Sequence, residues 1–584
     1  MLRSLLLFLA PVAFAASVPS IEFKLSIPNP SAKSVHVTMR CHGLEGEWHD
    51  FQMSAWMPGF YRLLYYADKV SKFHAADDHG KPLDSEKTTR NTWRIVTAGS
   101  HSAILDYDVA ATTRFAAQSL VDESRAYLAP PSLFLYVDNR LDLPATVEVD
   151  APAAWTSIST GLDPVKDHPH TFRAPDVDVL MDTPILLGKQ ELLHFEVNRV
   201  PHTIALEDIP PAISREQITK DLQKIVQASV DLIGDIPYQH YTFLLMGQGN
   251  GGIEHLNSSS IAFNGKNLST PEGYRKWLSY VAHEYFHHYN VKRIRPIALG
   301  PFDYSRENLT HMLWVSEGLS VYYQDLLCLR SGLFTRAQYL DVLRAAIAKF
   351  ENAPGHRYQS AVESSWTTWS TGGVGNDRNT TISYYDNGGM LGFILDLSIR
   401  HASANRKSLD DVMRALYRNY YQQRHRGFTD LEFREECERA AGTSLPEVFE
   451  YAASPREMDY AKYLAYAGLL IDAAEKEGKG AFLGANLQAR DTGLTVVDVD
   501  PASPAAKAGL NPGDTVLEVE GTKATVKVLS DAIAAKKPGD HLKLHLDRGD
   551  IEAELAITPQ RTYTIRESPQ RDELQNRILA NWLR

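Results

Sequence analysis

Apolar and polar residues alternate in short runs through the N-terminal part of the chain, and the period later changes to that of helices. Segments 34–40 (SVHVTMR), 92–96, 103–109 and 145–149 each alternate, with Gly, Pro, Asn and Asp between them. That is the pattern of half-buried strands joined by turns, and it predicts a β-rich domain over residues 16–203. From Ile204 the texture changes. Residues 214–234 place Ile218, Leu222, Ile225, Val226, Val230 and Leu232 on one face of a helix. Residues 241–246 (YTFLLM) read as a buried strand running into the glycine-rich turn 247–252. Helical patterns then dominate from Trp277 to about Gly468, including 338–351, 389–401 and 409–424. Near Gly478 strand-like texture returns, with a strand at 516–519, a turn at Gly521, a helix at 528–535 and a strand at 542–546. A last short helix is expected at 573–583, within a tail spanning 563–584.

Within the helical part lies His283-Glu284-Tyr285-Phe286-His287. Histidines four apart on a helix lie one above the other, so both imidazoles can reach one zinc ion. The intervening Glu284 is placed to act as general base toward a water activated there. Trp277, Leu278 and Val281 give the preceding segment the helical spacing this requires. A third ligand is expected from Glu317 in LWVSEGLSVYY, because apolar and aromatic residues surround it as they do a buried ligand. Glu307 is nearer in sequence but sits in the polar run 303–308, where a solvated carboxylate is the default. His283, His287 and Glu317 form a two-His, one-Glu set that leaves a coordination position open.

HEYFHHYNVKRIRP (283–296), LGPFDY (299–304) and LWVSEGLSVYY (313–323) make the chain resemble the M61 glycyl aminopeptidase family, relatives of the M1 aminopeptidases among the gluzincin metallopeptidases. GGIEH (251–255), WMPGFY (56–61) and NTWRI (91–95) extend the likeness. The resemblance implies a multidomain α+β protein: an N-terminal β-rich domain, a thermolysin-like, mostly α catalytic domain at 204–476 and a PDZ-like domain at 477–562. AFLG (481–484) and GLNPGDTV (509–516) carry the PDZ likeness. It also implies one zinc per chain and removal of small N-terminal residues, glycine and alanine, from peptides with a free N-terminus. Glu254, with Gly251 and Gly252 beside it, corresponds to the amine-recognition segment; a carboxylate there can pair with an α-ammonium and select the bond that meets the metal. Tyr385, two positions before an Asn-Gly pair where relatives have Lys-Gly, is the expected oxyanion donor, with Tyr384 the alternative. Arg293 and Arg295 are read either as carboxylate binders or as structural ion pairs. The PDZ-like unit could capture a peptide C-terminus or protein ligand by strand addition, or only orient the catalytic domain.

The net charge of −12 argues against a nucleic-acid binder. Arg3, the apolar run 5–14 and Ala13-Phe14-Ala15 read as a cleavable signal over residues 1–15, which predicts a periplasmic or secreted protein. No later stretch is long and apolar enough to span a membrane. Cys41, Cys328 and Cys437 are too few and too scattered for a disulfide framework, though one disulfide stays open. Two other functions remain: a PDZ-assisted zinc endopeptidase acting on exported unfolded proteins, and a non-catalytic peptide-binding scaffold.

Overall fold

A computed structural model describes residues 19–97, 99–370, 381–477, 481–490, 493–557 and 559–584. The signal expected at 1–15 and the start of the third unit near Gly478 lie outside the described residues.

The N-terminal domain is built on a seven-stranded sheet. Its order is Asp163–Pro164, Thr171–Ala174, Ala145–Asp150, Ser20–Ser26, Ser34–His42, Ser102–Ala110 and Val70–Ala76. Alternation gives each central strand one core face. Phe23 pairs with Met39, and Val37 with Tyr107, all buried. Two four-stranded sheets complete the domain.

A five-stranded sheet underlies the central part of the chain, in the order Glu191–Val197, Val200–Glu207, Tyr241–Met246, Ser258–Ala262, Gly252–Glu254. Tyr241–Met246 runs parallel to both neighbours and is buried along its whole length. Its unbroken apolar run has a direct cause, since both faces are covered. Tyr241, Phe243 and Leu245 pack into the helical core, whereas Leu244 and Met246 pack against the N-terminal domain. The hairpin Glu191–Val197/Val200–Glu207 belongs to this sheet, so the boundary falls near residue 190 rather than at 203. Alternation identifies a strand but not the sheet it joins.

Helix Arg215–Ile233 is capped by Ser214 and ended by the left-handed Gly234. The segment expected as one helix at 409–424 is α-helical over Leu409–Leu416 and π-helical over Tyr417–Gln422. The three cysteines are buried and free. No helix among the described residues is long and apolar enough to cross a membrane.

The third unit has its own core, including Leu494, Val516, Leu542 and Leu544, and the expected strand–helix–strand order. Its connections differ from expectation. Strand Leu469–Glu477 leaves the helical domain and pairs antiparallel with the returning strand Pro559–Glu567. Helix Glu573–Trp582 then packs into the catalytic core, with Ile578 and Trp582 fully buried. The indole of Trp582 donates to the Tyr322 hydroxyl (3.0 Å), which donates to Asp396 Oδ2 (2.6 Å). Tyr563, Ile578, Leu579, Trp582 and Leu583 therefore belong to the core of the helical domain, and the third unit is an insertion carried on a two-stranded ribbon.

Candidate metal centre

Helix Pro271–Phe286 begins at Thr270, whose hydroxyl accepts from Gly273 N, with Pro271 in the first turn. Its last turn presents His283 and Glu284, and His287 caps it. The two imidazoles meet with Nε2 atoms 2.9 Å apart. Glu317 Oε2 completes the triangle, 3.1 Å from His287 Nε2 and 3.8 Å from His283 Nε2. All three side chains are buried, and their ligand atoms lie within 4.8 Å of one another. Glu307, the competing candidate, is exposed.

Glu317 comes from a single π-helical turn, Trp314–Gly318, that continues into helix Leu319–Arg330. Such turns re-aim side chains and recur at functional sites. Behind it Gly318 lies against Gly388, where a Cβ on Gly318 would sit 2.3 Å from Gly388 Cα. This close backbone contact lets helix Tyr384–Ala402, which carries Tyr385, pack directly on that turn.

The donor set fits a divalent cation such as zinc. The Asn290 carbonyl lies 2.6 Å from His287 Nδ1 and can only accept, so that nitrogen carries a proton and Nε2 is the one left to face His283 and Glu317. Burial, with His287 beside it, holds His283 well below the usual histidine range, in its ligating neutral form. Burial also opposes a charge on His287, yet Glu317, Glu254 and Glu284 outweigh it and hold that pKa up at about 10. The carboxylates thus favour a cation at this point, and two imidazoles with one carboxylate are ligands that zinc accepts.

A cavity of about 280 Å³ opens on this triangle. Glu284, Glu254, Gly252 and Tyr385 line it with the three candidate ligands, joined by Gly59, Tyr280 and Gln324. The strand Gly252–Glu254 is the edge of its sheet and lies directly over Glu284: a Cβ at Gly252 would fall 2.1 Å from Glu284 Oε1. Gly251 stands behind it, against the Phe115 ring. Burial raises the Glu284 carboxyl well above the usual range, as befits a proton carrier. Tyr385 is chosen over Tyr384 by position. Tyr384 is 1 % exposed and lies outside the cavity lining, whereas the Tyr385 ring lies 6.1 Å from that of His283. Burial and then Glu317 push the Tyr385 hydroxyl well above its ordinary pKa, so it stays a donor.

Sequence reasoning gave the N-terminal domain a cleft wall but no contact with a candidate ligand. The Tyr61 hydroxyl donates to Glu317 Oε1 at 3.2 Å, and Gly59 abuts Glu254. WMPGFY contained both residues as a motif without a role. Lys292 was also missed: its buried ammonium lies 2.7 Å from Asp182 and 3.9 Å from Glu254. Arg293 is structural, donating to the carbonyls of Leu256, His288 and Pro237. Arg295 lies over the Phe302 ring, 5.7 Å from its centroid, outside the cavity lining.

A candidate metal-ligand triangle lies between an edge strand and a helical lobe, and the comparisons show what the chain is similar to. The chain matches the Peptidase M61 N-terminal domain over residues 22–189, M61 glycyl aminopeptidase over 276–391 and a PDZ domain over 481–558. The three matches fall in that order along the chain, so its N-terminal and motif-bearing parts are similar to those of the M61 glycyl aminopeptidases. An aminopeptidase N family protein from Idiomarina loihiensis superposes with a TM-score of 0.85 at 25 % identity, over 97 % of this chain and 100 % of that one. An M1 zinc metallopeptidase variant from Deinococcus radiodurans, bound to a Tyr-Ser-Ala substrate, shares the fold. Its TM-score is 0.50 at 12 % identity, over 76 % of this chain and 94 % of that one. Among curated proteins, the serine protease HhoB of Synechocystis is 37 % identical over 70 residues, 12 % of this chain, and the match spans 17 % of that relative's length.

Proposed function

We propose that the protein is a zinc-dependent aminopeptidase that removes small residues, glycine and alanine foremost, from peptides with a free N-terminus. The observation that carries this reading is the convergence of His283, His287, Glu317, Glu284, Tyr385 and Glu254 on one cavity. His283, His287 and Glu317 would hold the ion, one per chain, and when bound it supplies Lewis-acid polarisation of the scissile carbonyl. Glu284 accepts a proton from the attacking water and returns it to the departing amine. Tyr385 donates a hydrogen bond to the oxygen on which negative charge develops. The edge strand Gly252–Glu254 offers its backbone to an extended substrate, and Glu254 ends the groove with a carboxylate for the α-ammonium.

The inserted PDZ domain supports a second element of the reading, capture of a peptide C-terminus or protein ligand. Its strand Ala485–Arg490 is a sheet edge flanked by helix Val526–Ala534. Export is proposed from Arg3, the apolar run 5–14 and the small residues Ala13 and Ala15. The test is a panel of peptides beginning with Gly, Ala, Leu or Arg, followed by mass spectrometry. Sequential loss of N-terminal Gly and Ala supports the proposal, whereas internal cleavage favours the endopeptidase. Zinc binding without hydrolysis, with a cellular role unaffected by Glu284→Gln, favours the scaffold.

A further inference from the structure

We infer that Asp182 and Lys292 form a clasp across the domain boundary that fixes the position and charge of Glu254 for a substrate ammonium. The inference rests on the reading of Glu254 proposed above.

The Lys292 side chain is 5 % exposed, and its Nζ lies 2.7 Å from Asp182 Oδ1 but 3.9 Å from Glu254 Oε1. Asp182 belongs to the N-terminal domain, where it ends the short helix Val177–Met181. Its Oδ2 accepts from Leu256 N at 2.7 Å, and its Oδ1 lies 3.4 Å from His255 Nδ1. One carboxylate therefore grips both the ammonium beside Glu254 and the backbone that follows it. On the far side, Gly59 closes on Glu254, since a Cβ there would fall 2.6 Å from Oε2. Glu254 Oε1, boxed in this way, has no hydrogen-bond partner. A buried acceptor left unbonded is costly unless another group supplies a donor.

The order of distances decides the electrostatics. Lys292 alone beside Glu254 would close on it, neutralise it and occupy the place of an incoming amine. Asp182 is nearer and holds the lysine back, so the three groups sum to one negative charge available to the substrate. Without Lys292, the buried Glu254 would lose the ammonium that lies 3.9 Å from its Oε1, and burial disfavours its charge. Lys292 and Asp182 are thus positioning residues that act through Glu254 without touching substrate.

The experiment is steady-state kinetics on free-amine and acetylated peptide pairs, with zinc content and thermal melting measured on the same preparations. Lys292→Met and Asp182→Asn are each expected to raise KM for free-amine peptides by about tenfold or more, the scale of a lost charge-assisted contact, with kcat and zinc content little changed. Lys292→Arg should keep most of the parent's KM. The double variant should lose no more than the worse single, because both act through one carboxylate. An unchanged KM in folded, zinc-loaded Lys292→Met overturns the clasp, and should that variant misfold, Asp182→Asn and Lys292→Arg carry the same comparison. Glu254→Ala separates the two layers: if it leaves the free-amine preference intact, the reading of Glu254 fails and the clasp falls with it. If it abolishes that preference while the clasp variants do not, the clasp alone is wrong.

Discussion

The hydroxyl of Tyr61, in the N-terminal domain, donates a hydrogen bond to Oε1 of Glu317, whose other oxygen faces the two histidines of the catalytic domain. The N-terminal domain therefore contributes directly to the candidate metal centre. Removing such an outer partner costs about 10–100-fold in metal affinity at comparable sites. Tyr61→Phe should lose zinc to a competing chelator at correspondingly lower chelator concentration while keeping its fold. Equal retention would show that the bond does not orient Glu317.

Glu284→Gln keeps the shape of the site but removes the proton carrier. Its kcat should fall by roughly 10²–10⁴, the usual worth of a general base, with zinc content unchanged. A variant retaining near-parental kcat would remove Glu284 from the proton path.

The chemistry of the motif helix was legible because it is local. Two histidines one turn apart, an apolar helix face before them and a glutamate in apolar surroundings are all written in consecutive residues. Tyr61 and Glu317 are 256 positions apart, and Asp182 and Lys292 110 apart, so their pairing exists only once the domains pack. The same holds for the ribbon. Nothing local in Leu469–Glu477 or Pro559–Glu567 makes them partners. The terminal helix could be foreseen from its apolar spacing, whereas its docking site on Tyr322 could not.

That docking makes a stability prediction. Trp582 is fully buried and anchors a chain of hydrogen bonds through Tyr322 to Asp396, which in turn holds Arg400 and the Leu409 amide. Trp582→Ala should destabilise the catalytic domain by about 3–5 kcal/mol, the range for truncating a large aromatic in a packed core. In a thermal melt its transition should fall while that of the PDZ domain holds. An unmoved catalytic transition would make the terminal helix an ornament.

A buried carboxyl couples stability to pH. Asp325 accepts from Ser279 Oγ at 2.5 Å, tying helix Leu319–Arg330 to the motif helix, and burial lifts its pKa from 3.8 to about 6. The folded state thus favours the neutral acid. Its stabilising contribution is full below the unfolded pKa and is lost as pH rises through about 6, an upper limit on the order of 3 kcal/mol. Asp325→Asn should therefore gain melting temperature relative to the parent between about pH 4 and pH 7. A constant difference across that range would mean that Asp325 titrates normally.

The central claim is that His283, His287 and Glu317 hold a zinc ion for Glu284 while Glu254 selects a free amine. It is tested most directly by cleavage of short peptides paired as free and acetylated forms, with and without a chelator, followed by zinc add-back. The account predicts cleavage of the free-amine peptides alone, abolished by chelation and restored by zinc. Cleavage of both forms, or cleavage indifferent to the chelator, would contradict it.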